Sequence, residues 1–205
     1  ISRKYMNRKI YTLKPKVIIA SKNKGKVLEF KKLLSSLPIK IVNQPKDIEI
    51  EENGTTFSEN ARIKAISVAK ITGEFSLSDD SGLCVPSLGG APGIHSARYA
   101  KNDLERINRL LKELEGKENR EAYFCSALCF ASPEEGVLFE VLSKCEGVIT
   151  NSPRGTDGFG YDPIFEVIGI GLTFSEMGIE KKETISHRGL AFQKLMPQLK
   201  EFFEE

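Results

Sequence analysis

Short β-type runs alternate with stretches of helical periodicity along the first half of the chain. KVIIA, from Lys16 to Ala20, predicts a strand, SKNKGK a connecting loop, and VLEFKKLLSSL a helix, because its apolar residues recur at helical spacing. IKIVN predicts a second strand. The next helix is marked most clearly, since Thr56 and Glu59 have capping-box spacing and an apolar stripe follows, comprising Phe57, Ala61, Ala65 and Val68.

The second half of the chain is richer in strands. EFSL predicts a strand that leads into SDDSG, the Gly/Pro-rich LGGAPG predicts a loop, and NDLERINRLLKEL predicts a helix. AYFCSALCFAS and GVLFEVLSKCEGVIT are long β-type runs joined by SPEEG, which predicts an antiparallel hairpin. Helical spacing returns from Thr184 to Phe203. Parallel-type and hairpin connections together predict a mixed α/β fold.

The composition is that of an ordinary globular chain, with 40% hydrophobic and 28% charged residues. Apolar runs stay well below the roughly 20 residues that span a bilayer, so we expect no membrane partner. No secretory signal is visible, and we expect a cytoplasmic protein. The cysteines lack a zinc-type grouping with the two histidines, which favours buried thiols in a reducing compartment; they are Cys84, Cys125, Cys129 and Cys145.

Positive charge is concentrated at the N-terminus, in ISRKYMNRKIYTLKPK, which contains no acid. Because the whole chain carries only +2, the remainder is net acidic. A nucleic-acid binder usually shows basic clusters on its folded surface, so no nucleic-acid partner is expected. We interpret residues 1–15 as a flexible basic extension and residues 16–205 as a single domain.

The loop SKNKGK lies where a strand hands over to a helix. A helix N-terminus attracts anions through its free N–H groups, and three lysines strengthen that attraction. The loop is not a Walker motif, so the sequence alone leaves phosphate binding and simple solubility as equal alternatives.

Acidic residues cluster at two places. Glu49, Glu51 and Glu52 precede a helix, where acids often only complement the helix dipole. In SDDSG, Asp79 and Asp80 point to opposite faces if the strand is regular, so both can bind one ion only where the strand breaks into a turn. Two acids beside a Gly-rich loop suit Mg²⁺, yet the stretch is also good turn chemistry and by itself favours the turn.

Two further segments supply aromatic rings and hydrogen-bond donors. In GTDGFGYDP, glycines flank Phe159 and Tyr161, either of which could stack on a base. Lys182 and SHRG place several donors near a helix start. Each motif alone is more often a packed turn or a helix cap. Together, the four segments describe the parts of a nucleoside triphosphate site.

These motifs, SKNKGK, NGTTFSENA, SDDSGL, LGGAPGIHSARY, GFGYDP and ISHRG, stand in the order seen in the Ham1-like inosine triphosphate pyrophosphatase family. The resemblance runs from about Lys16 to the C-terminus. It implies an elongated α/β fold with two lobes around a central nucleotide-binding cleft, and a likeness to homodimeric enzymes. It also implies Mg²⁺-dependent hydrolysis of ITP, dITP and XTP to the monophosphate and pyrophosphate.

The resemblance also implies roles for particular residues. Glu52 and Asp80 match metal-binding acids, Asp80 is the expected proton acceptor, and Asp79 is an alternative second metal ligand. A polar and basic set matches the triphosphate cradle, comprising Ser21, Lys22, Asn23, Lys24, Gly25 and Lys26, with Ser81 as a further substrate contact. The base is expected to stack on Phe159, in a loop completed by Gly160, Tyr161 and Asp162. Lys182, His187 and Arg188 are expected to recognise a 6-oxo purine by donating hydrogen bonds to it.

The chain departs from the family pattern at Asp157, where glycine is common, and at Ser78, where alanine is common; the basic extension is also longer than usual. Two alternatives remain at this point. A Maf-type pyrophosphatase would act on modified pyrimidine or 7-methylguanine nucleotides, but the GFGYDP and SHRG segments argue against it. A non-catalytic nucleotide sensor is suggested only by the basic extension, and the acids Glu52 and Asp80 argue against it.

Overall fold

A mixed six-stranded sheet runs through residues 14–204, the part of the chain that the computed structural model describes. Most of the predicted basic extension, residues 1–13, lies outside this part, as does residue 205. The strands are β1 Lys16–Ile19, β2 Lys40–Asn43, β3 Phe75–Cys84, β4 Glu121–Ser132, β5 Gly136–Ile149 and β6 Phe165–Val167. The helices are α1 Lys24–Leu33, α2 Phe57–Thr72, α3 Asp103–Glu113, α4 Gly178–Ile185 and α5 His187–Glu204.

The strand order is β2-β1-β3-β4-β5-β6. β1 pairs in parallel with β2 and β3, whereas β3, β4, β5 and β6 form successive antiparallel pairs. This arrangement confirms the predicted mixed α/β fold and the long β4–β5 hairpin. The first two crossovers are helical because parallel neighbours cannot be joined by a tight turn.

Two apolar clusters form the core at the two ends of the sheet. In one, α1 and α5 cover β1, β3 and β4, with Phe30, Phe130 and Phe192 fully buried. In the other, α3 packs near β4, β5 and β6, with Leu110, Phe124 and Phe165 at its centre. Polar groups separate the two clusters, and this is where the functional side chains lie.

The helix α2 packs on the opposite face of the sheet through a strip of small residues. Ala61, Ala65 and Ala69 contact Ala127 and Cys129 of β4, so the helix backbone can lie close to the strand. The predicted capping residue is confirmed, because the Thr56 hydroxyl accepts a hydrogen bond from the Glu59 N–H.

The helix α1 begins earlier than its apolar pattern predicts. Asn23 is the N-cap and its Oδ1 accepts from the Lys26 N–H, so Lys24, Gly25 and Lys26 form the first helical turn. The C-terminal region also differs, since the predicted helix is divided at Ser186 into α4 and α5. The Ser186 hydroxyl accepts from the Gly189 N–H and starts the second helix.

All four cysteines are free and buried, as the sequence predicts. Among residues 14–204, no helix combines the length and hydrophobicity that a membrane crossing requires.

Candidate active site

The SDDSG stretch is regular strand, so the prediction of a turn was wrong. β3 pairs with β4 without interruption from Ser76 to Cys84, whereas its pairing with β1 ends at Leu77. Local turn propensity is overridden here by the long β4 partner. Beyond Leu77, β3 is no longer paired with β1, and there Asp79 and Asp80 project from opposite faces of the sheet.

Asp79 is fully enclosed by hydrogen-bond donors and cations. Its Oδ2 lies 2.6 Å from Lys26 Nζ and 3.4 Å from Arg188 Nη2, and it accepts from the Ser81 hydroxyl. Its Oδ1 accepts from Ser126 Oγ at 2.7 Å. Burial alone would raise the pKa of Asp79, but Lys26 and Arg188 lower it well below its usual range. With both oxygens committed, the geometry does not support Asp79 as a second metal ligand; it is the counter-charge of two cations.

Asp80 faces α2, where Lys64 holds it beside Glu52. Lys64 Nζ lies 3.0 Å from Glu52 Oε2 and 3.2 Å from Asp80 Oδ1, and it donates to the Asp79 carbonyl at 2.8 Å. Burial raises the pKa of Asp80 to about 6; the cations Lys64 and Lys26 oppose this, while the carboxylates of Asp79 and Glu52 add to it. Although burial alone would lower the pKa of Lys64, Asp80 and Glu52 raise it, so Lys64 remains cationic.

Sequence reasoning missed Lys64. Its position carries a signal in retrospect, because Lys64 lies directly beside the apolar stripe at Ala61 and Ala65 and its side chain is only 14% exposed. A charged residue at the edge of a buried helix face needs a partner inside the protein. Here the partners are the two predicted metal ligands.

The acid pair fits a hard divalent cation. Asp80 Oδ2 is buried without a hydrogen-bond partner, which leaves one carboxylate oxygen free for a ligand. Glu52 is half-buried, and its second oxygen is 3.5 Å from Arg98 Nη2. Within residues 14–204, no group of three or more acidic, histidine or cysteine side chains is arranged to hold an ion. A cation at Glu52 and Asp80 would therefore need oxygens from water or substrate phosphates, as Mg²⁺ commonly does.

A cavity of about 250 Å³ is lined by Lys26, Arg188 and Ser81, the partners of Asp79, whereas Glu52 and Asp80 are not among its lining residues. The first turn of α1 forms one wall, and Lys26 connects the two regions because its charge acts on both Asp79 and Asp80. Gly25 is needed at this wall, since a Cβ there would come within 2.6 Å of Phe159 Cδ1. Free N–H groups at a helix start together with a buried lysine are suited to phosphate oxygens.

The far wall of the cavity combines Phe159 with buried cations. Lys182 Nζ lies 4.8 Å from the centre of the Phe159 ring, within cation–π range. Lys182 donates to Asp162 Oδ2 at 2.8 Å and to Glu29 at 3.0 Å, and Glu29 also accepts from Arg188. Glu29 was not predicted from the sequence, because nothing in the α1 pattern distinguishes it from a surface acid.

His187 lines the same cavity as a neutral imidazole. Its ring stacks on Phe124 with the centroids 4.6 Å apart. Burial lowers the pKa of His187 well below its usual range, and the nearby cation Arg188 acts in the same direction. His187 Nδ1 and Arg188 Nε are buried without hydrogen-bond partners. These unpaired atoms mark where a ligand can form polar contacts.

The structure brings most of the predicted site residues together. Those that line the cavity are Asn23, Lys24, Gly25, Lys26, Ser81, Phe159, Gly160, Tyr161, Asp162, Lys182, His187 and Arg188. Five predicted residues are outside this lining: Ser21, Lys22, Glu52, Asp79 and Asp80. The Ser21 hydroxyl accepts from the Asn23 N–H, and Lys22 pairs with Glu49 at the surface.

Asp157 and Ser78, the two residues that depart from the family pattern, both lie outside the cavity lining. Asp157 is exposed and is not among the residues that line the cavity. The Ser78 hydroxyl is buried and donates to the Ala61 carbonyl at 2.5 Å, which joins β3 to α2. The Ser78 hydroxyl therefore makes a packing contact, away from the cavity.

The chain is similar to proteins of one family. The model of the Ham1 family matches residues 17–198. A dITP/XTP pyrophosphatase of Prochlorococcus marinus is 60% identical over 189 residues, which cover 92% of this chain and 94% of that protein. The structure of a HAM1 protein from Coxiella burnetii is 40% identical and has a TM-score of 0.82, covering 91% of this chain and 99% of that one. A nucleoside-triphosphatase, dITP/XTP pyrophosphatase, from Mycobacterium abscessus has a TM-score of 0.71 at 37% identity, covering 89% and 99%.

Proposed function

The chain belongs to the Ham1 family, and we propose that it is a pyrophosphatase that hydrolyses dITP, XTP and ITP to the nucleoside monophosphate and pyrophosphate. The observation that carries this proposal is the position of Asp80. Its carboxylate has one unpaired buried oxygen, it shares Lys64 with a second acid, Glu52, and the charge of Lys26 in the first turn of α1 acts on it. This arrangement suits attack on a bound triphosphate.

We propose Mg²⁺ as the cofactor, held by Glu52 and Asp80. Both side chains supply the carboxylate oxygens that hard cations prefer, and Asp80 Oδ2 has no competing partner. Bound there, Mg²⁺ would neutralise phosphate charge and polarise the attacked phosphoryl group. Lys64 already pairs with both acids but balances only one of their two charges, so the net negative charge left on the pair favours a cation beside it.

In the reaction we propose, water attacks the α-phosphorus in line with the leaving pyrophosphate. Asp80 accepts the proton of that water as the new P–O bond forms. The pKa of Asp80 is raised to about 6 in the absence of metal, and a bound Mg²⁺ would lower it, so the carboxylate would be ionised at neutral pH and able to accept a proton. Lys26 and the N–H groups of the first α1 turn stabilise the charge on the phosphates.

Base selection is assigned to the far wall of the cavity. Hypoxanthine and xanthine present a carbonyl oxygen at position 6, whereas adenine presents an amino group. The side-chain nitrogens of Lys182 and of the Arg188 terminus are engaged by Glu29, Asp162 and Asp79, which leaves Arg188 Nε and the neutral His187 for the base. An adenine amino group would face the Arg188 donor and leave both groups without a partner, and such a mismatch strongly weakens the binding of adenine nucleotides.

The remaining expectations follow from the family. We propose that residues 16–205 act as one pyrophosphatase domain, because site residues come from both ends of a single sheet. We also propose a homodimer located in the cytoplasm. The four free, buried thiols support a reducing compartment, and sedimentation equilibrium would measure the dimer.

Steady-state hydrolysis tests the proposed function. The substrates are ITP, dITP, XTP, GTP, ATP and a pyrimidine triphosphate, each with and without Mg²⁺, and pyrophosphate release is measured. We expect turnover of the first three only, and only with the metal. Equal turnover of ATP and ITP would refute the assignment of base selection, and binding of dITP without pyrophosphate release would favour a nucleotide sensor.

A further inference from the structure

A carboxylate on α3 reaches across the cavity to the loop that carries Phe159. Asp103 is the first residue of α3, and its Oδ2 accepts a hydrogen bond from the Gly160 N–H at 2.8 Å. The two residues are 57 positions apart in the chain. No motif in the sequence links them, and Asp103 lines the same cavity as Phe159 and Gly160.

The Gly160 amide is one of two neighbouring N–H groups held by carboxylates. The Phe159 N–H donates to Asp162 Oδ2 at 3.0 Å, and the next N–H along the chain donates to Asp103. Gly160 has φ +62°, a left-handed conformation that aims successive N–H groups to one side. Asp162 therefore fixes the peptide that precedes Phe159, and Asp103 fixes the peptide that joins Phe159 to Gly160.

Asp103 itself is held in place from its own helix. Its Oδ1 is 2.6 Å from Arg106 Nη1, and Arg106 Nε donates to the Ala100 carbonyl. Arg106 also lines the cavity. The pair is close to neutral overall, so this carboxylate can lie in a cavity for an anionic ligand without strongly repelling it.

We propose that Asp103 is a positioning residue that fixes the Phe159–Gly160 peptide and, through it, the ring on which the base stacks. The inference rests on the proposed function of the cavity. It makes α3 part of the base site, in addition to the segments named from the sequence. Asp103 acts on substrate affinity through the loop and takes no part in proton transfer.

The test compares Asp103→Ala, Asp103→Asn and Glu105→Ala in the full chain. Asparagine retains an oxygen that can accept from the Gly160 N–H. Glu105 is the matched control, an acid in the same helical turn whose side chain contacts Asn102 instead of the loop. Should Asp103→Ala not fold, Asp103→Ser replaces it, because serine is tolerated at a helix start but is too short to reach Gly160.

We expect Asp103→Ala to raise the KM for dITP about tenfold, the usual effect of losing one hydrogen bond to a charged group, with kcat within about twofold. Inhibition by inorganic tripolyphosphate, which lacks a base, should be unchanged. Asp103→Asn should return KM to within about threefold of the unmodified enzyme, and Glu105→Ala should leave it unchanged.

An unchanged KM in Asp103→Ala, or an equal loss of affinity for dITP and tripolyphosphate, would overturn the inference. So would an asparagine variant as impaired as the alanine one. Hydrogen exchange at the Gly160 amide gives a readout that needs no substrate: it should be faster in Asp103→Ala, and unchanged exchange also overturns the proposal. If the unmodified enzyme hydrolysed neither dITP, XTP nor ITP, the proposed function would fail, while this exchange measurement would still test the Asp103 contact.

Discussion

The two faces of β3 place identical side chains, one residue apart, in opposite chemical situations. Asp79 is surrounded by Lys26, Arg188 and two serine hydroxyls, and its pKa is lowered. Asp80 shares a single lysine with Glu52, has one unpaired oxygen, and its pKa is raised. The difference shows that the surroundings supplied by other segments, more than the residue type, separate a charge-balancing acid from the acid that we propose as the catalytic base.

The largest expected effect is on the Asp80 face. Asp80→Asn keeps the shape of the side chain but cannot accept the proton of the attacking water, so kcat for dITP should fall by about 10³-fold. Steady-state kinetics with Mg²⁺ measure this. Asp157→Asn is the control, since that acid is exposed outside the cavity lining. Near-normal turnover by Asp80→Asn would remove the proposed difference between the faces.

On the Asp79 face the expected effect is on stability. Asp79→Asn leaves Lys26 and Arg188 short of a buried counter-charge, so the free energy of unfolding should fall by about 3 kcal/mol. Glu140→Gln breaks the exposed pair with Arg62 and should cost less than about 1 kcal/mol. Denaturant unfolding measures both. Equal costs would show that Asp79 is not the buried counter-charge described above.

The lowered pKa of Asp79 also determines how the difference in unfolding free energy between the unmodified enzyme and Asp79→Asn depends on pH. A carboxyl with a lowered pKa in the folded state contributes stability above its unfolded pKa of about 4, and this contribution is lost as the pH falls further. The difference between the unmodified enzyme and Asp79→Asn should therefore be constant from pH 5 to 8 and shrink below about pH 4.

A smaller effect is expected on the pH dependence of Mg²⁺ binding at the Asp80 face. Because the pKa of Asp80 is raised to about 6, protons compete with Mg²⁺ at this site, and its affinity should fall about tenfold between pH 7 and 5. Calorimetric titration of the nucleotide-free enzyme measures the affinity. In Asp80→Asn, the Mg²⁺ affinity that remains should depend little on pH. A pH-independent affinity in the unmodified enzyme would exclude Asp80 as the ligand.

The smallest expected effect comes from Ser126. Ser126→Ala removes one hydrogen bond to Asp79 and leaves the others in place, so unfolding should become easier by about 1 kcal/mol. We expect kcat to change by less than twofold, because Asp80 and its partners are untouched. Parallel denaturation and kinetic measurements test this. A tenfold loss of kcat would show that the two faces are coupled.

The sequence predicted what depends on local pattern or on a recognisable motif. Strands with apolar runs, the Thr56 cap and the β4–β5 hairpin are of this kind, and so is the set of residues that meet at the cavity. SDDSG was mispredicted because its turn propensity is local, whereas the pairing that keeps it extended comes from β4, more than forty residues away.

Charge partners were the other part that could not be predicted. Lys64 and Glu29 look like surface residues in their helices, and only the packing of α2 and α1 shows which acids and bases they meet. For the same reason, the sequence did not separate the roles of Asp79 and Asp80. Assigning those roles requires knowing which face of β3 each side chain occupies and which partners lie on that face.

The cations that balance Asp79 come from widely separated parts of the chain. Lys26 lies in the first helix, and Arg188 lies in the last described helix, 109 residues beyond Asp79. During synthesis, the strand that carries Asp79 therefore leaves the ribosome long before its second counter-ion exists. A nascent chain can build much of the sheet early, but the buried charge of Asp79 gains its second counter-ion only when α5 docks.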